Sequence, residues 1–163
     1  MVTTIVLLLI MMAGLFLILW ATVGFIQDKR FFTSAPKEVQ KAVQPKKERF
    51  NGQHLVGYIM AMIAICMLFG SVLYGAWDGI RNGFTFGQFL ARFIILMWGV
   101  QIFDVVFFDY YLLCRSNFFP HYYPETAPYL GPHLFGYNWK SHLMEAFFLL
   151  AVSIVLAWIC TKL

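Results

Sequence analysis

His54, Arg92, Gln101, Asp104, Asp109, His142 and Glu145 all fall inside or at the ends of otherwise apolar segments. An ionisable group in hydrocarbon is costly unless it is paired or hydrated, so each such position is a candidate for function. His142 and Glu145 are three apart and share a helix face. Imidazole with carboxylate is a common donor pair for a divalent first-row metal ion, and it is equally a pair for general acid–base work. Asp109 matches Glu145 in depth. The expected acid or base groups are therefore Asp109 and Glu145, and the expected metal set is His142, Glu145 and Asp109, with His142 as ligand or proton relay. Asp104 lies five positions before Asp109, about 140° around an ideal α-helix. Such a helix cannot aim both carboxylates at one ligand, which assigns Asp104 to an ion pair near the site.

These side chains must be held by the apolar segments around them. Of 163 residues, 61% are hydrophobic and 12% charged, with mean hydropathy +0.71. A soluble domain is roughly half apolar and a quarter charged. Crossing the hydrocarbon takes about 20 mostly apolar residues, and the stretches 5–26, 55–77, 88–113 and 142–161 meet that test. The expected fold is an all-α integral membrane protein: a single domain over 1–163 built as a four-transmembrane-helix bundle. The first stretch has no basic residue before it, a long apolar run and no small-residue cleavage site after it, so it reads as a retained span rather than a signal peptide. In the second, Gly57, Ala61, Ala64, Ser71 and Gly75 fall near one face, a seam for close helix contact.

Direction follows from Lys and Arg. The loop 27–53 carries Lys29, Arg30, Lys37, Lys41, Lys46, Lys47 and Arg49 against Asp28, Glu38 and Glu48, a net charge of +4. The positive-inside rule makes this loop cytoplasmic and puts both termini outside. The simplest setting is a bacterial inner (plasma) membrane. Topogenesis and anionic lipid headgroups account for the charge, so the expected partner of loop 27–53 is the lipid bilayer and not nucleic acid.

The loop 114–141 is expected on the same side. Pro120, Pro124, Pro128 and Pro132 recur every fourth residue, which forbids a regular helix. Phe118, Phe119, Tyr122, Tyr123, Tyr129, Phe135, Tyr137 and Trp139 accompany them, whereas disordered segments are poor in aromatics. The stretch reads as an ordered Pro/aromatic loop, either a lid over a pocket or an interfacial aromatic belt. It adds His121, Glu125 and His133 to the end where His54, Asp109, His142 and Glu145 lie. Cys66, Cys114 and Cys160 show no paired spacing and read as small buried hydrophobes.

In FDVVFFDYYLL (Phe103–Leu113), FFPHYYPET (Phe118–Thr126) and GYNWKSH (Gly136–His142) the chain resembles small uncharacterised bacterial polytopic membrane proteins. Those pair a two-aspartate helix with a Pro-Glu-Thr loop and a basic-His helix start. The resemblance covers Phe103 onward and, more loosely, the HLVGY stretch from His54; it implies shared architecture and no particular activity. The span number, length and large first loop are also similar to those of the membrane-associated glutathione and eicosanoid enzymes. Only Glu48 and Arg49 echo their signature, and the Arg and Asn that should follow are absent. Lipoprotein signal peptidase shares size and an aspartate pair, but its Asn- and Gly-rich surroundings are missing.

Three readings stay open on sequence. One is a cytoplasm-facing His/carboxylate pocket that binds a divalent metal ion or a small amphiphilic ligand, with or without enzymatic acid–base chemistry. Its binding positions would be Asp104, Arg92 and His54, with Glu125 and Tyr123 from the loop. The second is an oligomeric transporter or channel subunit lined by Asp104 and Arg92. The third is an accessory subunit docked on another membrane protein. Against all three stands ordinary ion pairing of Asp109 and Glu145 with Arg115, Lys140 and the basic loop.

Overall fold

The computed structural model describes residues 1–32 and 35–163. Among these the chain is helical throughout, without strands, and four helices are long and apolar enough to cross a membrane. The first, α1 (Val2–Trp20), runs on without a break into a π-helix over Ala21–Ile26. A short α2 (Lys37–Ala42) follows a 3-10 turn at Lys29–Phe32. Next come α3 (Gln53–Arg81) and α4 (Phe86–Phe103), the latter continuing as a second π-helix over Asp104–Leu113. The segment to the last long helix holds α5 (Phe118–Tyr122) and 3-10 turns at Pro124–Tyr129 and Pro132–Leu134. The last helix is α6 (Trp139–Cys160). The prolines thus confine this segment to short turns.

The long helices alternate up and down. Both termini and the tight turn at 82–85 lie at one end, and the two long loops lie together at the other. Thr85 and Gln88 form a capping box that starts α4 immediately after that turn. α1 packs on α3 and α4, and α6 leans chiefly on α4. Two side chains of α4 reach carbonyls of α6: Gln101 Nε2 donates to His142 O at 2.7 Å and Trp98 Nε1 to Ala146 O at 3.3 Å.

The seam expected on α3 is present and faces α1. Gly57, Ala64, Ser71 and Gly75 are buried, Ala61 is partly so, and Gly79 continues the row. A Cβ on Gly57 would lie 2.7 Å from Ile26 Cγ1, so only glycine allows this approach. Gly75 meets Leu7 of α1 and Arg92 and Leu96 of α4, and Gly79 meets Phe89 of α4, so the row packs within the bundle.

At the loop end the π-helix of α1 leaves carbonyls without intrahelical donors. Arg49 Nη2 donates to Gly24 O at 2.6 Å and Gln53 Nε2 to Phe25 O at 2.8 Å. The start of α3 therefore closes the end of α1. Outside the helix ends, Phe32, Val39, Val43, Phe119, Tyr123 and Leu134 bury one another with Leu112 and Leu113. The two loops make one packed cap, in which Lys46 Nζ donates to Tyr122 O at 2.6 Å and lies 4.8 Å from the Tyr123 ring centre.

Candidate functional site

A cavity of about 120 Å³ lies under that cap. Leu19 and Val23 of α1 form one wall, and Phe31, Phe32 and Phe119 of the loops form its roof. Its polar lining is Asp104 and Asp109 from the second π-helix, with Tyr137, Asn138 and His142 at and before the start of α6. The volume has room for several water molecules or one small polar ligand; it is too small for an entire amphiphile.

The π-helix explains how the two aspartates meet here. On an α-helix a spacing of five separates them. The wider π turn, with i→i+5 hydrogen bonds, returns the fifth residue to nearly the same face. The premise that the two carboxylates cannot aim at one ligand, which holds for an ideal α-helix, does not apply to this π-helix. Both carboxylates line one cavity.

His142 Nε2 lies 2.6 Å from Asp109 Oδ2, the short contact of a charge-assisted hydrogen bond. The ring is held from behind because Gln101 fixes the backbone of the same residue. His142 Nδ1 is buried and makes no hydrogen bond. Glu145 Oε2 is 3.8 Å from it, beyond bonding distance, and the Glu145 side chain is half exposed. Among the described residues Asp104 has no hydrogen-bond donor on its carboxylate. Burial, reinforced by the nearby charges of Asp109 and Asp104, pushes the Tyr137 phenol far above its usual range. That hydroxyl is therefore neutral at any physiological pH.

The expected metal set does not assemble. Among the described residues, no three His, Cys, Asp or Glu are placed to hold a metal ion. The reason is geometric: Asp109 meets the imidazole at Nε2 while Glu145 faces Nδ1. The carboxylates flank the ring from opposite edges and cannot converge with one nitrogen on a common centre.

Other expected positions lie elsewhere. His54 sits at the start of α3 with Glu48, Nδ1 to Oε1 being 3.5 Å, and is not part of the cavity. Glu125 pairs with Lys46 at 3.4 Å, and Tyr123 is wholly buried in the cap. Arg92 is at the opposite end of the bundle. Its Nη1 lies 2.8 Å from Asp78 Oδ2 and 2.6 Å from Gly75 O, its Nε donates to Thr4 Oγ1 at 3.2 Å, and Phe84 stacks 4.4 Å below. Asp78 and Asn138 carry parts of these arrangements that the sequence did not single out, and Tyr137 was read only as one of the loop aromatics. For Asp78 the available signal was its place in the last helical turn of α3, shortly before the turn that returns α4 alongside α3.

Compared with protein-family models, curated proteins and solved structures, the chain matches none.

Proposed function

We propose that this chain is an integral membrane protein whose inner-leaflet cavity is an acid–base site for a small cationic or hydrogen-bond-donating ligand. The apolar surface supports the membrane setting. Phe69, Leu73, Phe147 and Phe148 are each about two-thirds exposed on the helix flanks, a surface suited to lipid and not to water. The positive-inside rule places the basic loop and the Pro/aromatic loop in the cytoplasm and both termini outside, as in a bacterial inner membrane.

One observation carries the ligand reading: Asp104 and Asp109 face the same cavity, and among the described residues only Asp109 has a base against it. Two carboxylates and one imidazole leave the site an excess of acceptors in an apolar enclosure. Such a site is completed by a positive or proton-donating guest. Asp109 and His142 are the acid–base couple, with His142 Nδ1 as the second proton position. Asp104 receives the guest, and Tyr137 and Asn138 orient it. Glu145 stands at the rim, where it reaches Nδ1 after a small rotamer change.

The test uses full-length protein in detergent with ammonium and methylammonium as probes. Saturating ligand raises folding stability by RT ln(1 + [L]/Kd), about 2.7 kcal/mol at a hundred times Kd. The expected result is a thermal shift in the wild type that is absent in Asp104→Asn and His142→Ala. Equal shifts in all three proteins would sink the assignment.

A further inference from the structure

Arg49 offers a second site, independent of the first. Its guanidinium is fixed in place by neutral acceptors: Nη2 on Gly24 O at 2.6 Å and Nε on Gln53 Oε1 at 3.2 Å. Among the described residues no carboxylate lies within ion-pair distance of it, and Nη1 has no hydrogen-bond partner. The neighbouring Glu48 is turned away and accepts the His54 backbone N–H at 2.9 Å. A positive charge is thus held still without a counter-ion.

That charge opens into a cleft of about 360 Å³ between the end of α1 and the cap. Its walls are Trp20, Phe25, Phe50 and Tyr122, and His121 stands at its mouth. Trp20 Nε1 donates to Tyr122 Oη at 3.0 Å, which sets the aromatic wall, and the Trp20, Phe50 and His121 side chains are all exposed. The cleft lies where α1 leaves its apolar stretch, the level at which Trp and Tyr meet headgroups in the proposed membrane.

A planar guanidinium with a free edge matches a phosphate. Inorganic phosphate has no use for the aromatic walls, whereas the glycerol and upper acyl carbons of a lipid do. A zwitterionic headgroup brings its own cation against Arg49 and His121. We infer that this cleft binds the phosphate of an anionic phospholipid, with Arg49 and His121 on the phosphate and Trp20, Phe25 and Phe50 along the glycerol and first acyl carbons.

The experiment is native mass spectrometry of the full chain from micelles holding equal amounts of phosphatidylglycerol and phosphatidylcholine. Wild type is expected to retain phosphatidylglycerol preferentially. Arg49→Gln lowers that preference about fivefold, the effect of one interfacial charge, and His121→Ala lowers it by less. Lys41→Gln, on α2 and outside the cleft, leaves it unchanged. An equal loss in Lys41→Gln would mean a diffuse surface charge and overturn the site. Displacement of the lipid by excess inorganic phosphate would overturn the lipid assignment. Arg49 also closes α1, so its variant can misfold. Among the described residues the His121 ring makes no hydrogen bond or ion pair and packs edge-on to the Tyr122 ring, so its variant should fold, and an unchanged preference in His121→Ala overturns the proposal by itself.

Discussion

Arg92, which is buried, and His142, which is partly buried, each face an aspartate, and what surrounds each pair differs sharply. Arg92 is 3% exposed and has a carboxylate, a carbonyl, a hydroxyl and an aromatic face around it, drawn from α1, α3 and the turn before α4. Among the described residues His142 has one short contact, an orphaned Nδ1, and a second carboxylate across a cavity without a donor of its own. A desolvated charge with a counter-ion and further acceptors from several helices ties those helices together. One that is incompletely satisfied, beside an open volume, is arranged to receive something.

The largest effect expected from this contrast is at Arg92. Arg92→Leu strands Asp78, and breaking a buried pair from one side costs about 3–5 kcal/mol. Thermal denaturation in detergent should show it, with much of the loss recovered in Arg92→Leu/Asp78→Asn. A loss no larger than that of a cavity-side variant would erase the distinction between the two ends. Next is the Asp109–His142 contact. A double-mutant cycle with Asp109→Asn and His142→Ala should give a coupling of about 1.5–3 kcal/mol, the range for hydrogen bonds to charged groups. Asp104→Asn comes third. It removes a desolvated charge with no donor to lose, so stability should move by no more than about 0.5 kcal/mol while the ammonium-dependent shift disappears. Marked destabilisation there would turn Asp104 into a second Arg92.

The smallest effect lies outside both clusters. The backbone N–H of His54, its main partner, holds the exposed Glu48 carboxyl below the ordinary range. A folded-state pKa below the unfolded one stabilises the fold above the acid range and loses that contribution as pH falls through it. Glu48→Gln should therefore flatten the acid limb of a stability–pH profile slightly and leave the neutral region unchanged.

The four long helices were readable because hydropathy over twenty residues is a strong signal. Their N-terminal ends moved outward, and the second span grew at both ends from 55–77 to Gln53–Arg81, because helices continue past the apolar stretch that betrays them. The position of Arg92 near the end away from the loops was also legible from spacing alone. Its partner was not: Asp78 lies beside a turn and looks like a surface residue until α3 is seen to run on to Arg81. At the other end the convergence of His142 with Asp109 followed from depth. That Asp104 shares one cavity with Asp109, and that Glu145 does not line it, depend on a π-helix and on which imidazole edge each carboxylate meets. Neither leaves a mark in composition or periodicity, since both turn on a local hydrogen-bond register.

The Asp78–Arg92 pair bears on how such a chain enters a bilayer. The third span has the lowest window hydropathy of the four, 1.8, and carries Arg92, Asp104 and Asp109; a central Asp or Arg penalises insertion by about 2.5–3.5 kcal/mol. Only the short turn at 82–85 separates it from the second span, whose window hydropathy is 2.3. With the carboxylate on one arm and the guanidinium on the other, the two arms neutralise each other at the end away from the loops before any further span is synthesised. Biogenesis would then pass the pair through the translocon as a single helical hairpin, and the weaker span would never meet lipid with its arginine unpaired.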